Sequence, residues 1–384
     1  METKRKQRIA LSAYFFLVGF CFSTWASRIP TIKSAFDLNE AELGNLLLVM
    51  PVSSMLGLPI SGWLVSRFNS RGPLVLAALF FSFALALIGE ANNLILLVAA
   101  IASFSFCMRI VNISMNTQAI TLQKSYGRKI NGSFHGLWST GGLLGVGFST
   151  LMLKLEVSMS QHFYYVSLFT LMAASGAYSF LLKNDKAPAG NKLRLGKPDK
   201  FVLYLGLLVF FAALCEGGMF DWSGVYFREV VGEEIFTLGY LMFIVFMALS
   251  RFFSDKIIER IGMEKMYLIS ASLIGAGVIT IILFPLFWPA LIGFSLVGIG
   301  VAAIMPMTFT LAGTSPKYST GMAVSIITTY AITGMLLGPP LIGYLASIFN
   351  LKLAFIIFII AGLMLIPVSR RFFKHQRKSL EKEG

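Results

Sequence analysis

Charged residues are scarce in this chain. Asp, Glu, Lys and Arg make up only 13% of its 384 residues, whereas a soluble domain carries roughly 25%. Cysteine is scarcer still. The three present, Cys21, Cys107 and Cys215, all fall inside apolar stretches, an arrangement that supports neither a disulfide framework nor a zinc site. There are also only three histidines, His135, His162 and His375. The chain has no Gly-x4-Gly-Lys-Ser/Thr phosphate loop, no His-Glu-x-x-His, no Gly-x-Ser-x-Gly and no Gly-x-Gly-x-x-Gly. ATP-driven pumping and the common membrane-enzyme chemistries therefore lack their machinery, and neither enzyme activity, a cofactor nor a metal is expected. No polar stretch is long enough to form a sizeable soluble domain.

Apolar surface is abundant: 56% of the residues are hydrophobic and mean hydropathy is +0.76. Runs of membrane-spanning length recur from Ile9 to Ser369. Because about 20 apolar residues cross the hydrocarbon core, the pattern predicts an all-α membrane protein with spans near 9–29, 43–65, 74–92, 94–118, 131–153, 162–182, 202–227, 237–258, 266–287, 289–313, 320–346 and 351–369. Lys4-Arg5-Lys6-Gln7-Arg8 before the first run resembles the start of a signal peptide. The run is of full span length and ends at Arg28-Ile29-Pro30 without an Ala-x-Ala site, so a retained first helix is expected.

The net charge of +14 follows topology. Of the 32 Lys and Arg, 26 fall in the tails and loops on the side of the N-terminus, five in the opposite loops, and Arg109 lies within a span. By the positive-inside rule both termini are expected in the cytoplasm, which suits a multi-pass protein of the bacterial inner membrane. The basic residues do not gather on one face with interleaved aromatics, so nucleic acid is not an expected partner.

The longest polar stretch, Lys183 to Lys200, contains Pro188, Gly190, Gly196 and Pro198. It reads as a cytoplasmic linker, 184–200, between six-helix bundles at 1–183 and 201–384. Each half also carries a short basic loop after its second span, Gly62 to Arg71 and Asp255 to Lys265. A feature repeated at equivalent positions suggests internal duplication.

Those loops resemble the signature of the major facilitator superfamily, a Gly-x-Leu-x-Asp-Arg-x-Gly-Arg-like segment after helix 2. Arg67 and Arg71 match its basic positions, while Ser66 stands where the family has Asp and Asn69 where it has Gly. Glu259 and Arg260 preserve the acid and base better in the second half. Further stretches are similar to the bacterial YbjJ-type, fucose-permease-like branch: Trp25 to Pro30, Asn112 to Asn116, Ser133 to Ser139, Glu216 to Tyr226 and Gly338 to Gly343. The resemblance implies two six-helix bundles whose first, fourth, seventh and tenth helices line a cavity that opens alternately to either side. It implies gating roles for Arg67, Arg71, Glu259 and Arg260.

A charge at the bilayer centre is costly, so ionisable residues within spans mark candidate sites. Arg109 lies mid-span, and Ser105, Arg109, Asn112 and Asn116 share one helical face. That face either contacts substrate or a gate, or Arg109 is a structural arginine paired with a neighbouring helix. Glu216 and Asp221 lie in span seven, about 140° apart on a regular helix. A carboxyl group short of water can bind and release a proton near neutral pH, which makes Glu216 the candidate for proton coupling; the alternative is a permanent ion pair with Arg109. Arg28 and Asp221, at the outer ends of spans one and seven, are a candidate gating pair, or each is solvated at the interface. His135 has either a coupling role or a hydrogen bond to a loop. Trp25, Trp138, Trp222 and Tyr330 are candidates for stacking on substrate, with interfacial anchoring as the alternative for Trp222. The glycines of spans five and eleven read as close-packing points.

The expected function is secondary active transport of a small polar organic solute, sugar-like or anionic, coupled to the proton gradient and carried out by a monomer. Efflux of amphiphilic compounds is the runner-up, and a non-transporting receptor or scaffold a remote alternative.

Overall fold

The computed structural model describes residues 2–126, 130–183, 199–318 and 320–383. Among these every regular element is helical. In chain order they are α1 (Glu2–Ala26), α2 (Ile29–Ala35), α3 (Glu40–Arg67), α4 (Arg71–Glu90), α5 (Leu94–Tyr126), α6 (Asn131–Lys154), α7 (Met159–Tyr178), α8 (Lys200–Tyr226), α9 (Thr237–Ile261), α10 (Met263–Leu283), α11 (Phe287–Ala302), α12 (Ile304–Ala312), α13 (Thr320–Ile348), α14 (Leu351–Ala354) and α15 (Ile356–Glu383). One π turn, Phe227–Val231, extends α8.

With α2 a short connector, and α11–α12 and α14–α15 each a single rod interrupted at Ala303 and Phe355, the described residues form the twelve expected spans. Ten rods are long and apolar enough to cross a membrane unaided. The other two are α7, which carries Gln161, His162, Ser167 and Thr170, and α9, whose apolar part ends near Arg251. Side-chain caps fix several helix starts. Asn39 and Glu42 cap α3 reciprocally, Asn39 Oδ1 accepting from Glu42 N and Glu42 Oε2 from Asn39 N, both at 2.9 Å. Asp199 caps α8 through Val202 N at 2.9 Å, and Asn350 caps α14 through Leu353 N at 2.8 Å.

Two helices outrun their apolar segments. α5 continues eight residues past the predicted end at 118, because Gln118 holds its polar end against the chain after α7. Gln118 Nε2 donates to Leu182 O at 3.1 Å and its Oε1 accepts from Leu182 N at 3.2 Å. α15 runs to Glu383 rather than 369, with Arg377 paired to Glu264 of α10 at 3.2 Å.

The chain divides into two compact units. The first comprises Met1–Asp37 and Val49–Leu193, the second Leu38–Leu48 and Arg194–Gly384. The opening turns of α3 thus group with the second unit. Positions 184–198 of the expected linker lie outside the described residues; Asp199 and Lys200 open α8.

Packing within the units follows one scheme twice. In the first, α1 packs on α6 and α7, and α4 on α5 and α7; in the second, α8 packs on α13 and α15, and α10 on α11 and α15. Close approach depends on glycine, since apolar side chains gain no hydrophobic advantage by meeting inside lipid. A methyl group on Gly141 of α6 would collide with Phe16 O of α1, and one on Gly334 of α13 would collide with Phe210 O of α8.

Candidate functional site

In the first unit the polar face of α5 lies against α3. Ser105 Oγ donates to Met50 O at 2.6 Å. One turn on, Arg109 Nε donates to Ser54 Oγ at 2.8 Å. Gly57 of α3 clears room for the arginine stem, because a Cβ there would come within 3.2 Å of Arg109 Cβ. Among the described residues the terminal amino groups of Arg109 have no hydrogen-bond partner and the side chain has no carboxylate. Asn112 and Asn116 donate to carbonyls of their own helix, Met108 O at 2.9 Å and Asn112 O at 2.7 Å. Both asparagines and Arg109 are half-buried.

The aromatic candidates differ in setting. Trp25 is buried, its ring centroid 6.5 Å from Phe104, and its indole N–H has no partner among the described residues. Trp222 is likewise buried with an unpartnered N–H. Trp138 is half-buried beside Phe22, with centroids 6.4 Å apart. In the second unit Tyr330 of α13 packs its ring over Gly206 of α8, where a Cβ would come within 2.7 Å of it.

Span seven, α8, carries both intramembrane carboxylates. Glu216 Oε1 lies 3.5 Å from Arg251 Nη2 on α9, with Glu216 the more buried partner. Arg251 also reaches Met247 Sδ at 3.6 Å, while its Nε is buried without a partner among the described residues. Asp221 is half-buried. Sequence reading missed Arg251 and counted it with the loop cations, although it falls inside the span predicted over 237–258. Without it the charge asymmetry stands at 25 to 5.

Arg28 is buried, and its partners belong to the first unit: Nε donates to His162 Nδ1 at 3.1 Å and Nη2 to Val157 O at 2.9 Å. This bond fixes the ring proton of His162 on Nε2. His162 was legible only as a rare residue in a span, and nothing local in the sequence links it to Arg28. His135 is exposed and meets Phe15 edge-on at 5.5 Å.

Of the loop residues, Arg67, Glu259 and Arg260 are exposed. Arg71 has a defined place: Nε and Nη2 donate to Tyr178 O at 3.2 and 3.0 Å, and the guanidinium sits 4.0 Å over the Tyr178 ring. It clamps the start of α4 to the carbonyl end of α7. Among the described residues no group of three His, Cys, Asp or Glu side chains is placed to hold a metal ion.

A twice-repeated helical packing scheme with ionisable groups set within apolar helices suits a membrane transporter. The sequence profile of the Major Facilitator Superfamily matches residues 10–331, and the chain belongs to that family. It is 32% identical over 351 residues to an uncharacterized MFS-type transporter of Yersinia pestis, an alignment covering 91% of each chain. It is 31% identical to the membrane protein MosC of Rhizobium meliloti, over 96% of this chain and 90% of MosC. Among solved structures it resembles the nucleoside transporter NupG, with a TM-score of 0.75, 12% identity and coverage of 97% and 99%. It also resembles an inward-facing, unoccupied bacterial homologue of the human lysosomal transporter Spinster, with a TM-score of 0.74, 16% identity and coverage of 97% and 98%. At such identities these two likenesses define the fold alone.

Proposed function

We propose that the chain is a proton-coupled secondary transporter of a small polar organic solute, sugar-like or anionic, working by alternating exposure of its polar helix faces. The observation that carries this reading is Arg109, a cation at span depth with one hydroxyl partner, Ser54, and no carboxylate among the described residues. A charge in that setting calls for a polar or anionic ligand, because solvating it otherwise is expensive. Asn112 and Asn116 extend the same face by two turns, and their side-chain oxygens suit hydroxyl donors. Trp25 and Trp138 are the aromatic candidates of the same unit, and Tyr330 is a separate substrate candidate in the second unit.

Coupling is assigned to Glu216. Taking up a proton cancels its attraction to Arg251, and losing it restores the pair, so one carboxyl group has two charge states with different helix contacts. Asp221 and His135 are secondary candidates for the same role, and Arg28, Asp221, Arg67, Arg71, Glu259 and Arg260 for gating. The working unit is a monomer in the bacterial inner membrane with both termini in the cytoplasm.

The test is a thermal-shift screen of sugars, organic acids and amino acids on purified protein, followed by proteoliposome uptake of each hit with and without an imposed pH gradient. A hit whose uptake follows the gradient and is lost in Arg109→Ala supports the proposal. Uptake indifferent to the gradient removes proton coupling, and full uptake by Arg109→Ala removes the assigned site.

A further inference from the structure

The first unit also carries a groove whose lining does not include Arg109, Asn112 or Asn116. Where α4 begins, α3, α4 and α5 leave an open groove of about 690 Å³, walled by apolar side chains such as Leu76, Phe80 and Ile110. A second hollow of about 500 Å³ shares Phe80, Phe106 and Cys107 with it and continues along α4 to Leu87. From residue 71 to residue 87 the helix axis advances about 24 Å, close to half of a bilayer that is ~40–45 Å thick with its headgroups.

Its mouth is cationic. Arg71 and Lys183 line it, and among the described residues neither hollow is lined by an Asp or Glu. The carbonyl and ring of Tyr178 hold the Arg71 guanidinium at this mouth. Among the described residues Arg71 has no carboxylate partner. Ser66 occupies the position where the resembled loop has Asp, and its hydroxyl turns back to Trp63 O at 2.9 Å. In the corresponding loop of the second half Glu259 still sits beside Arg260.

We infer that this groove binds an anionic phospholipid from the leaflet on the Lys/Arg-rich side, its phosphate at Arg71 and Lys183 and one acyl chain laid along α4 and α5. Charge complementarity selects the lipid. Basic groups at the membrane surface attract anionic headgroups, whereas a zwitterionic headgroup brings an ammonium toward the same two cations. The apolar length of the groove distinguishes such a lipid from a soluble anion.

The test compares phosphatidylglycerol, phosphatidylcholine with the same acyl chains, and inorganic phosphate, each added to delipidated full-length protein and followed by thermal unfolding and native mass spectrometry. Phosphatidylglycerol is expected to stay bound and raise the unfolding temperature by several degrees more than phosphatidylcholine, with phosphate inert. Gly72→Glu combined with Lys183→Glu should weaken phosphatidylglycerol binding at least tenfold. Gly72 lines the mouth and a Cβ there meets nothing within 4 Å, and the first turn of a helix accommodates an acid. Should that double variant fold poorly, Lys183→Ala at an exposed position is expected to weaken binding at least threefold. Equal retention of the two lipids, an unchanged lipid preference in a folded variant, or a stabilisation by phosphate matching that of the lipid would each overturn the inference.

Discussion

Glu216 of α8 and Arg251 of α9 form a 3.5 Å ion pair within the second unit, and among the described residues neither has another oppositely charged partner. The pair is only partly exposed, with side-chain accessibilities of 15% and 34%. Its energetics lie between those of a surface pair and a buried one.

Removing one partner should therefore cost more than removing both. Glu216→Gln and Arg251→Gln are each expected to destabilise the protein by about 1–3 kcal/mol, with the double variant recovering part of the loss. Thermal unfolding of the four proteins of the cycle measures this. Strictly additive losses would mean that the pair contributes no coupling energy.

If Glu216 carries the coupled proton, neutralising it should separate two activities. Glu216→Gln is expected to keep exchange of labelled for unlabelled substrate across a proteoliposome membrane while losing accumulation driven by a pH gradient. Retained accumulation would move the coupling role to Asp221 or His135.

Arg109 should tolerate little change. Lysine keeps the charge but not the planar fork, so Arg109→Lys is expected to weaken substrate affinity by about tenfold or more, in line with ~1.5–3 kcal/mol for a hydrogen bond to a charged group. Ser54→Ala removes a single hydroxyl from Arg109 Nε and should have a smaller effect. Isothermal titration of a confirmed substrate ranks the variants, and the reverse order would place the ligand elsewhere.

Glycine contacts inside the units predict a positional pattern. Gly141→Leu and Gly334→Leu force α1 from α6 and α8 from α13, and each should cost about 1–3 kcal/mol or more. Gly147→Leu, where a Cβ meets nothing within 4 Å, should be nearly neutral. Monodispersity after detergent extraction separates the two classes.

Much of the fold was legible because span length and hydropathy report the free energy of moving a whole segment into lipid. Ten spans follow from that quantity alone, while α7 and α9 are only weakly apolar. Helix ends were less legible, since a helix does not stop where its apolar surface stops. Gln118 and Arg377 carry α5 and α15 onward through specific polar contacts. Side-chain partners were least legible. The loop count hid Arg251 although it lies four turns into α9, and Arg28 meets His162 across 134 positions of sequence. Hydropathy contains no term for such pairs, and only packing decides them.

The long final helix has a practical consequence. Ser369, where the apolar stretch ends, is followed by 14 further helical residues to Glu383, about 21 Å of rod at 1.5 Å per residue. A folded tag joined in unbroken helical register to that stalk would inherit the orientation of the second unit, giving electron cryomicroscopy of this small transporter an alignment landmark outside the detergent belt.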